Sequence, residues 1–412
     1  MTGPILFRGG ALLDVVAGEL RPGTEVLIDG GRVVEVSDVP IRSASARVVD
    51  LAGRTLMPGL IDLHVHVTIT TMNLGAMVQK PPTLVAHEAA AILKRMLLRG
   101  FTTIRDAAGA DWGIAEAVER GLALGPRVFF SGRALSQTGG HGDFRPRFSE
   151  DRLCACEIHS QGFSHVADGV SAVRKAAREE LRRGAHQVKI MASGGVASPT
   201  DPVWNVQYSG EEMRAIVEEA NGWRTYAMAH AYSPEAIRRA VEAGVRTIEH
   251  GNLIDGSTAA LMAERGAYLV PTLVTYFKIE ELGRQLGFPA VSQRKVKDVL
   301  DAGLRSLELC REAGVPMGFG TDLLGETHDF QSEEFRIRGE VLSAADVLRS
   351  ATVVAAEILN RRGELGVVTS GARADLLVVD GNPLADLSLL VGQGERIAAI
   401  LKDGDWITNR LG

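Results

Sequence analysis

Met57-Pro58-Gly59-Leu60-Ile61-Asp62-Leu63-His64-Val65-His66-Val67 reads as a short apolar strand entered through a Pro-Gly turn. Successive side chains of a strand point to opposite faces, so His64 and His66 share one face. Two imidazoles side by side at the end of a buried strand suit a transition-metal site. The plain alternative, two polar residues filling a core, requires a separate hydrogen-bond partner for each buried ring.

From this strand onward, apolar strands alternate with amphipathic helices. The strand candidates are residues 56–67, 101–106, 127–132, 187–192, 226–232, 246–250, 268–274 and 316–322. Residues 84–98, 171–183 and 210–220 carry apolar side chains at helical spacing with charges opposite. Several helices stop at a glycine, as at Arg99-Gly100, Arg183-Gly184 and Ala243-Gly244. Strand–helix alternation implies parallel strands with crossover helices, and eight units predict an α/β fold of the (β/α)8 TIM-barrel kind.

Outside that region the texture differs. Residues 1–56 are short strands with glycine turns, and Gly30-Gly31 between residues 25–29 and 32–36 marks a hairpin. Strand character returns at residues 374–380 and 397–401. The simplest assembly joins residues 1–56 and 365–412 into one small β-sandwich beside a barrel of residues 57–364. Residues 134–168 are long for a strand-to-helix connection and are expected to cover the substrate.

The chain has 412 residues, 45% of them apolar, which is enough for a large core. A net charge of −6 argues against a nucleic-acid or anionic-membrane partner. No charged start followed by an apolar run is present, so no signal peptide is expected, and no run is long enough for a transmembrane helix. Three cysteines fit a reducing cytoplasm rather than a disulfide framework. Cys154, Cys156 and His159 look like half of a metal knuckle but lack a second ligand pair.

Sites on such barrels collect at the carboxyl ends of the strands. There the sequence places His64 and His66, Lys189, His230, His250 and Asp322 on five different strands. Taken singly, His230 or His250 would serve as a hydrogen-bonded core histidine, and Asp322 as a helix cap. Lys189 is different, because an ammonium inside an apolar strand carries a heavy desolvation penalty. A neutral buried amine can react with carbon dioxide to give a carbamate, a carboxylate able to bridge two cations.

Pro58-Gly59-Leu60-Ile61-Asp62-x-His64-x-His66, Lys189, His230, His250 and Gly320-Thr321-Asp322, in this order, resemble the amidohydrolase superfamily over essentially the whole chain. Gly371-Ala372-Arg373-Ala374-Asp375 is similar to that family's return into its β-sandwich. Three stretches look like the prolidase-type and ochratoxin-hydrolysing branch: Gly100-Phe101-Thr102-Thr103-Ile104-Arg105-Asp106, Gly139-Gly140-His141-Gly142-Asp143 and Lys189-Ile190-Met191-Ala192-Ser193-Gly194-Gly195. Tyr232 stands where many members have a second histidine.

The resemblance implies two divalent ions, zinc in the first instance. His64, His66 and Asp322 would hold one, His230 and His250 the other, and carbamylated Lys189 would bridge them. It implies hydrolysis of an amide or peptide C–N bond, in dipeptides or N-acyl amino acids including ochratoxin-like ones. A bridging hydroxide would attack, with Asp322 as proton shuttle. Tyr232 is expected to donate to the oxyanion, and His141 to touch the carbonyl or a substrate carboxylate. Arg145 and Arg147 are candidates for that carboxylate, and Asp106 for orienting a ligand histidine. His328 is placed near the mouth. His87, His159, His165 and His186 are read as having no part in the site. A homo-oligomer in the cytoplasm acting on a small amide is expected. One alternative keeps the chemistry and takes a urea, carbamate or cyclic amide, xenobiotics included. Another is a metal-free assembly protein on the same scaffold, which filled ligand positions argue against.

Overall fold

A computed structural model describes residues 3–77, 79–145, 163–198 and 200–411. Its architecture is α/β. Leu60–Val65, Phe101–Asp106 and Arg127–Phe130 form one parallel sheet with Phe101–Asp106 in the middle. A second parallel sheet runs Ser164–Val166, Ala134–Ser136, Val188–Met191, Ala227–Ala231, Thr247–His250 and Tyr268–Val270. Residues 316–322 hydrogen-bond to both sheets. The Gly318 amide donates to the Leu269 carbonyl at 2.8 Å, while Leu63 and Asp322 exchange bonds across to Phe319 and His64, each at 2.7 Å. Met317 also makes an isolated parallel bridge to Leu269.

Strand alternation decides what each residue faces. Val188 and Ile190 join the apolar cluster that packs against Val173, Ala177 and Leu181 of the helix Val170–Arg182 and Met213, Ile216 and Ala220 of Gly210–Gly222. Lys189 and Met191, on the opposite face, line a cavity. Ala227, Ala229 and Ala231 likewise pack outward, leaving His230 on the cavity side. Each large aliphatic buried this way stabilises the fold by roughly 1.5–3 kcal/mol. The helices begin and end on local chemistry. Ser209 and Glu212 form a reciprocal capping box. Gly100 and Gly184, just past their helices, adopt φ of 90° and 94° that a side chain resists.

The structure corrects several expected boundaries. Residues 56–67 are two strands, Thr55–Pro58 and Leu60–Val65. The first pairs with Leu376–Val379 and Ala11–Asp14 in a sheet built from both ends of the chain. The second pairs with Phe101–Asp106. Between them the Gly59 amide turns to the Asp375 carbonyl. The strand at residues 268–274 ends at Val270, because Pro271 has no N–H for the ladder and the helix Leu273–Leu282 follows. The connection 134–168 is not all loop, since Ala134–Ser136 and Ser164–Val166 pair in parallel. These three-residue strands are too short for periodicity to reveal.

The chain ends form a six-stranded and a four-stranded sheet, the latter containing the expected hairpin Glu25–Asp29 with Arg32–Ser37. Ile5, Phe7, Val26, Leu56, Leu376 and Ala399 share one apolar cluster between them. No helix among the described residues is long and apolar enough to cross a membrane.

Candidate active site

One cavity is lined by His64, His66, His141, Lys189, His230, Tyr232, His250 and Asp322. Seven are buried outright, and the Asp322 side chain is 19% exposed. The rings interlock, with centroids 5.2 Å apart for His64–His66, 4.8 Å for His64–His250 and 4.5 Å for His230–His250. His250 and Asp322 sit at left-handed φ of 73° and 52°. Non-glycine residues held there cost roughly 1–3 kcal/mol each and cluster at functional sites.

Hydrogen bonds set the tautomers. His64 Nδ1–H donates to Glu249 Oε2 at 2.7 Å and His66 Nδ1–H to the Ala108 carbonyl at 2.9 Å. In the neutral ring each Nε2 is then a lone pair, and both face Asp322 Oδ1, at 3.5 Å and 3.1 Å. His64 Nε2 is buried without a hydrogen-bond partner. His230 Nε2–H donates to the Gly194 carbonyl at 3.1 Å, leaving Nδ1 to accept. Acceptors aimed at acceptors in a buried site call for cations. Ligand atoms of His64, His250 and Asp322 lie within 4.8 Å of one another.

Electrostatics agree with that chemistry. Burial holds the His64 and His230 imidazoles far below their ordinary pKa and brings His250 to about 3, so they stay neutral, the metal-binding form. Burial pulls the Lys189 ammonium down to about 8, toward the nucleophilic free amine.

The flanking candidates divide. His141 is buried and stacks on His230 at 4.2 Å, so it is no exposed loop residue. The Tyr232 hydroxyl bonds the Tyr276 hydroxyl at 2.8 Å. Asp106 does not touch a histidine ring; its carboxylate accepts from the Val67 and Ala110 amides and so shapes the turn after His66. Arg145 grips Asp143 with both forks at 2.7 Å and does not line the cavity. His328 is buried against the Ile69 carbonyl, also off the cavity wall. His87 is exposed on its helix, and His186 sits edge-on to Phe129 and Phe130. His165 lies off the cavity wall in the strand Ser164–Val166. Arg147, Cys154, Cys156 and His159 lie outside the described residues.

Sequence reasoning missed Glu249, Arg105, Thr272 and Tyr276. Arg105 clamps both Glu249 oxygens at 2.9 Å, and Glu249 holds His64. Thr272 Oγ1 bonds His250 Nδ1 at 2.8 Å. The desolvation argument that singled out Lys189 applies equally to the charges Arg105 and Glu249 inside Phe101–Asp106 and Thr247–His250, though it does not say that they pair.

A profile of the amidohydrolase family matches residues 55–407. Among solved structures, an amidohydrolase is 56% identical with TM-score 0.97, covering 99% of this chain and 100% of its own. A prolidase complexed with N-methylphosphonate-L-proline is 53% identical with TM-score 0.96, covering 98% and 100%. Ochratoxinase of Aspergillus niger is 31% identical over 345 residues, 81% of this chain and 72% of its own length.

Proposed function

The chain belongs to the amidohydrolase family, on its prolidase-like and ochratoxin-hydrolysing branch, and from that premise we propose that it is a metal-dependent hydrolase of amide C–N bonds in dipeptides or N-acyl amino acids. The observation that carries this reading is the buried set of imidazole lone pairs turned on Asp322, with Lys189 beside them. We take the two parallel sheets and residues 316–322 as one (β/α)8 barrel whose carboxyl rim holds this set, with residues 1–56 and 365–412 as the β-sandwich beside it.

Two zinc ions, held by His64, His66 and Asp322 and by His230 and His250 with carbamylated Lys189 between, would supply a water of lowered pKa and a polarised carbonyl. The rest falls to the chain. Asp322 accepts the proton of the attacking water and returns it to the leaving nitrogen, which departs only as the amine. Tyr232 donates its hydroxyl to the carbonyl oxygen as charge develops there. Tyr276 keeps that phenol in place. Phe144, Phe163, Phe288, Leu324 and Val196 wall the cavity with apolar surface suited to an acyl group or a proline ring.

His141 is the group left to meet a substrate carboxylate, since no arginine lines the cavity among the described residues. A second reading, a urea, carbamate or cyclic amide, needs no counter-cation and so does not depend on Arg147, which lies outside the described residues. Zinc-loaded protein is to be tested on Xaa-Pro dipeptides, N-acyl amino acids, phenylureas and carbamates, with released amino acids identified. Xaa-Pro or N-acyl substrates should reach kcat/KM above about 10⁴ M⁻¹s⁻¹. Turnover confined to ureas and carbamates would replace the first reading with the second.

A further inference from the structure

Three stretches far apart in sequence meet beside His141. Its own connection supplies the ring. The segment after Val188–Met191 supplies Ser198, whose Oγ lies 2.8 Å from His141 Nδ1, and Gln207, whose Oε1 accepts from the His141 amide at 2.8 Å. Gln207 Nε2 and the Gly195 amide both donate to Asp201 Oδ2, at 3.1 Å each. Ser198, Asp201 and Gln207 are almost fully buried. The ring lies so close over Gly195 that a Cβ there would fall 2.1 Å from His141 Cε1. The third stretch is the helix Ala290–Leu300, from which Lys295 reaches in.

Lys295 Nζ donates to the carbonyls of Gly195, Ser198 and Asp201, at 3.0, 2.7 and 2.5 Å. An ammonium has three N–H groups, so all of its donors go to the backbone of this one segment. It has none left for a substrate. Ser292, one turn earlier on the helix, adds a bond to the Ala197 carbonyl at 3.3 Å. A half-buried cation on three carbonyl dipoles, one of them from the residue whose hydroxyl bonds His141, pins the segment rather than reading a ligand.

We propose that Lys295 is a positioning residue of the active site, a staple that holds the backbone carbonyls of Gly195, Ser198 and Asp201 and thereby fixes the His141 ring against His230. This rests on the hydrolase reading only for its kinetic consequence; the staple itself is independent of substrate. It ties these three stretches together, so that the helix Ala290–Leu300 governs the geometry of a residue about 150 positions earlier in the chain.

The test replaces Lys295 with methionine, keeping the stem and removing the donors. Hydrogen–deuterium exchange of peptides covering residues 194–207 should accelerate at least tenfold, with exchange in Phe101–Asp106 and Thr247–His250 unchanged. On the best substrate found for the wild type, kcat/KM should fall about 10–100-fold. The Lys295→Met, His141→Ala double variant should be no slower than His141→Ala alone. Wild-type exchange in residues 194–207 overturns the staple. Losses that multiply in the double variant overturn its action through His141. If no substrate is hydrolysed at all, the hydrolase reading fails while the exchange result still decides the staple. Should Lys295→Met not fold, Lys295→Gln, which keeps two donors, is read the same way with a smaller acceleration.

Discussion

His328 offers its Nε2 hydrogen to the Ile69 carbonyl at 3.1 Å, while its Nδ1 is buried with no partner. A second proton would sit on that orphaned nitrogen, and burial accordingly brings the imidazole down to about 4 from an ordinary 6.5. The sign follows from proton counting. Between these values the unfolded chain binds a proton that the folded chain refuses, so stability rises with pH across the window. The contribution is full above pH 6.5, is lost as the pH falls toward 4, and amounts to at most about 3 kcal/mol. His328→Gln keeps the donor to Ile69 and removes the titration. The fall in Tm between pH 7.5 and 5 should therefore be smaller in the variant than in the wild type. An equal fall would show that His328 does not titrate with unfolding.

At the same scale, Lys189 was legible as a charge in an apolar strand, whereas Glu249 was not, because it stands next to a more conspicuous His250. What makes Glu249 matter is a long-range pairing, Arg105 from one sheet and His64 from the same sheet's first strand, that no local pattern encodes. Tyr276 was hidden for another reason: it lies in the helix Leu273–Leu282, where residues up to 274 read as strand.

Among elements, the joint at Gly59 decides how the site is attached to the rest of the chain. Residue 59 carries the backbone out of the sheet shared by the two chain ends and into the strand bearing His64 and His66. A Cβ on it would meet Thr102 Oγ1 at 2.2 Å and Cγ2 at 2.6 Å. Gly59→Ala should therefore force Leu60–Val65 away from Phe101–Asp106 and lower stability by about 1–3 kcal/mol, read from the urea midpoint. A wild-type midpoint would mean that the two strands have slack at this crossing. Strand and helix positions were mostly legible here because both periodicities are strong and glycines mark the stops. The ends of strands were less so, since apolar runs such as residues 56–67 look the same whether they pair with one sheet or pass between two.

On the scale of the molecule, the two chain ends are tied to the sheets that carry the candidate site by ion pairs as well as by strands. Arg127 at the start of its strand bonds Asp375 and Asp403, each at 2.7 Å. The Asp375 carbonyl in turn takes the Gly59 amide. The order of motifs along the chain made the family legible. How the stretches around His141, Ser198 and Lys295 meet was not legible, because they come together only in the fold.

The proposed function rests on six side chains around one cavity that would hold two cations. Anomalous diffraction at the zinc edge, from crystals of protein prepared with zinc and bicarbonate, tests this most directly. The account predicts two zinc peaks roughly 3.5–4 Å apart, contacted by His64, His66, His230, His250 and Asp322, with carbamate density on Lys189 reaching both. Zinc bound elsewhere, or a Lys189 side chain turned away from the histidines, would contradict it.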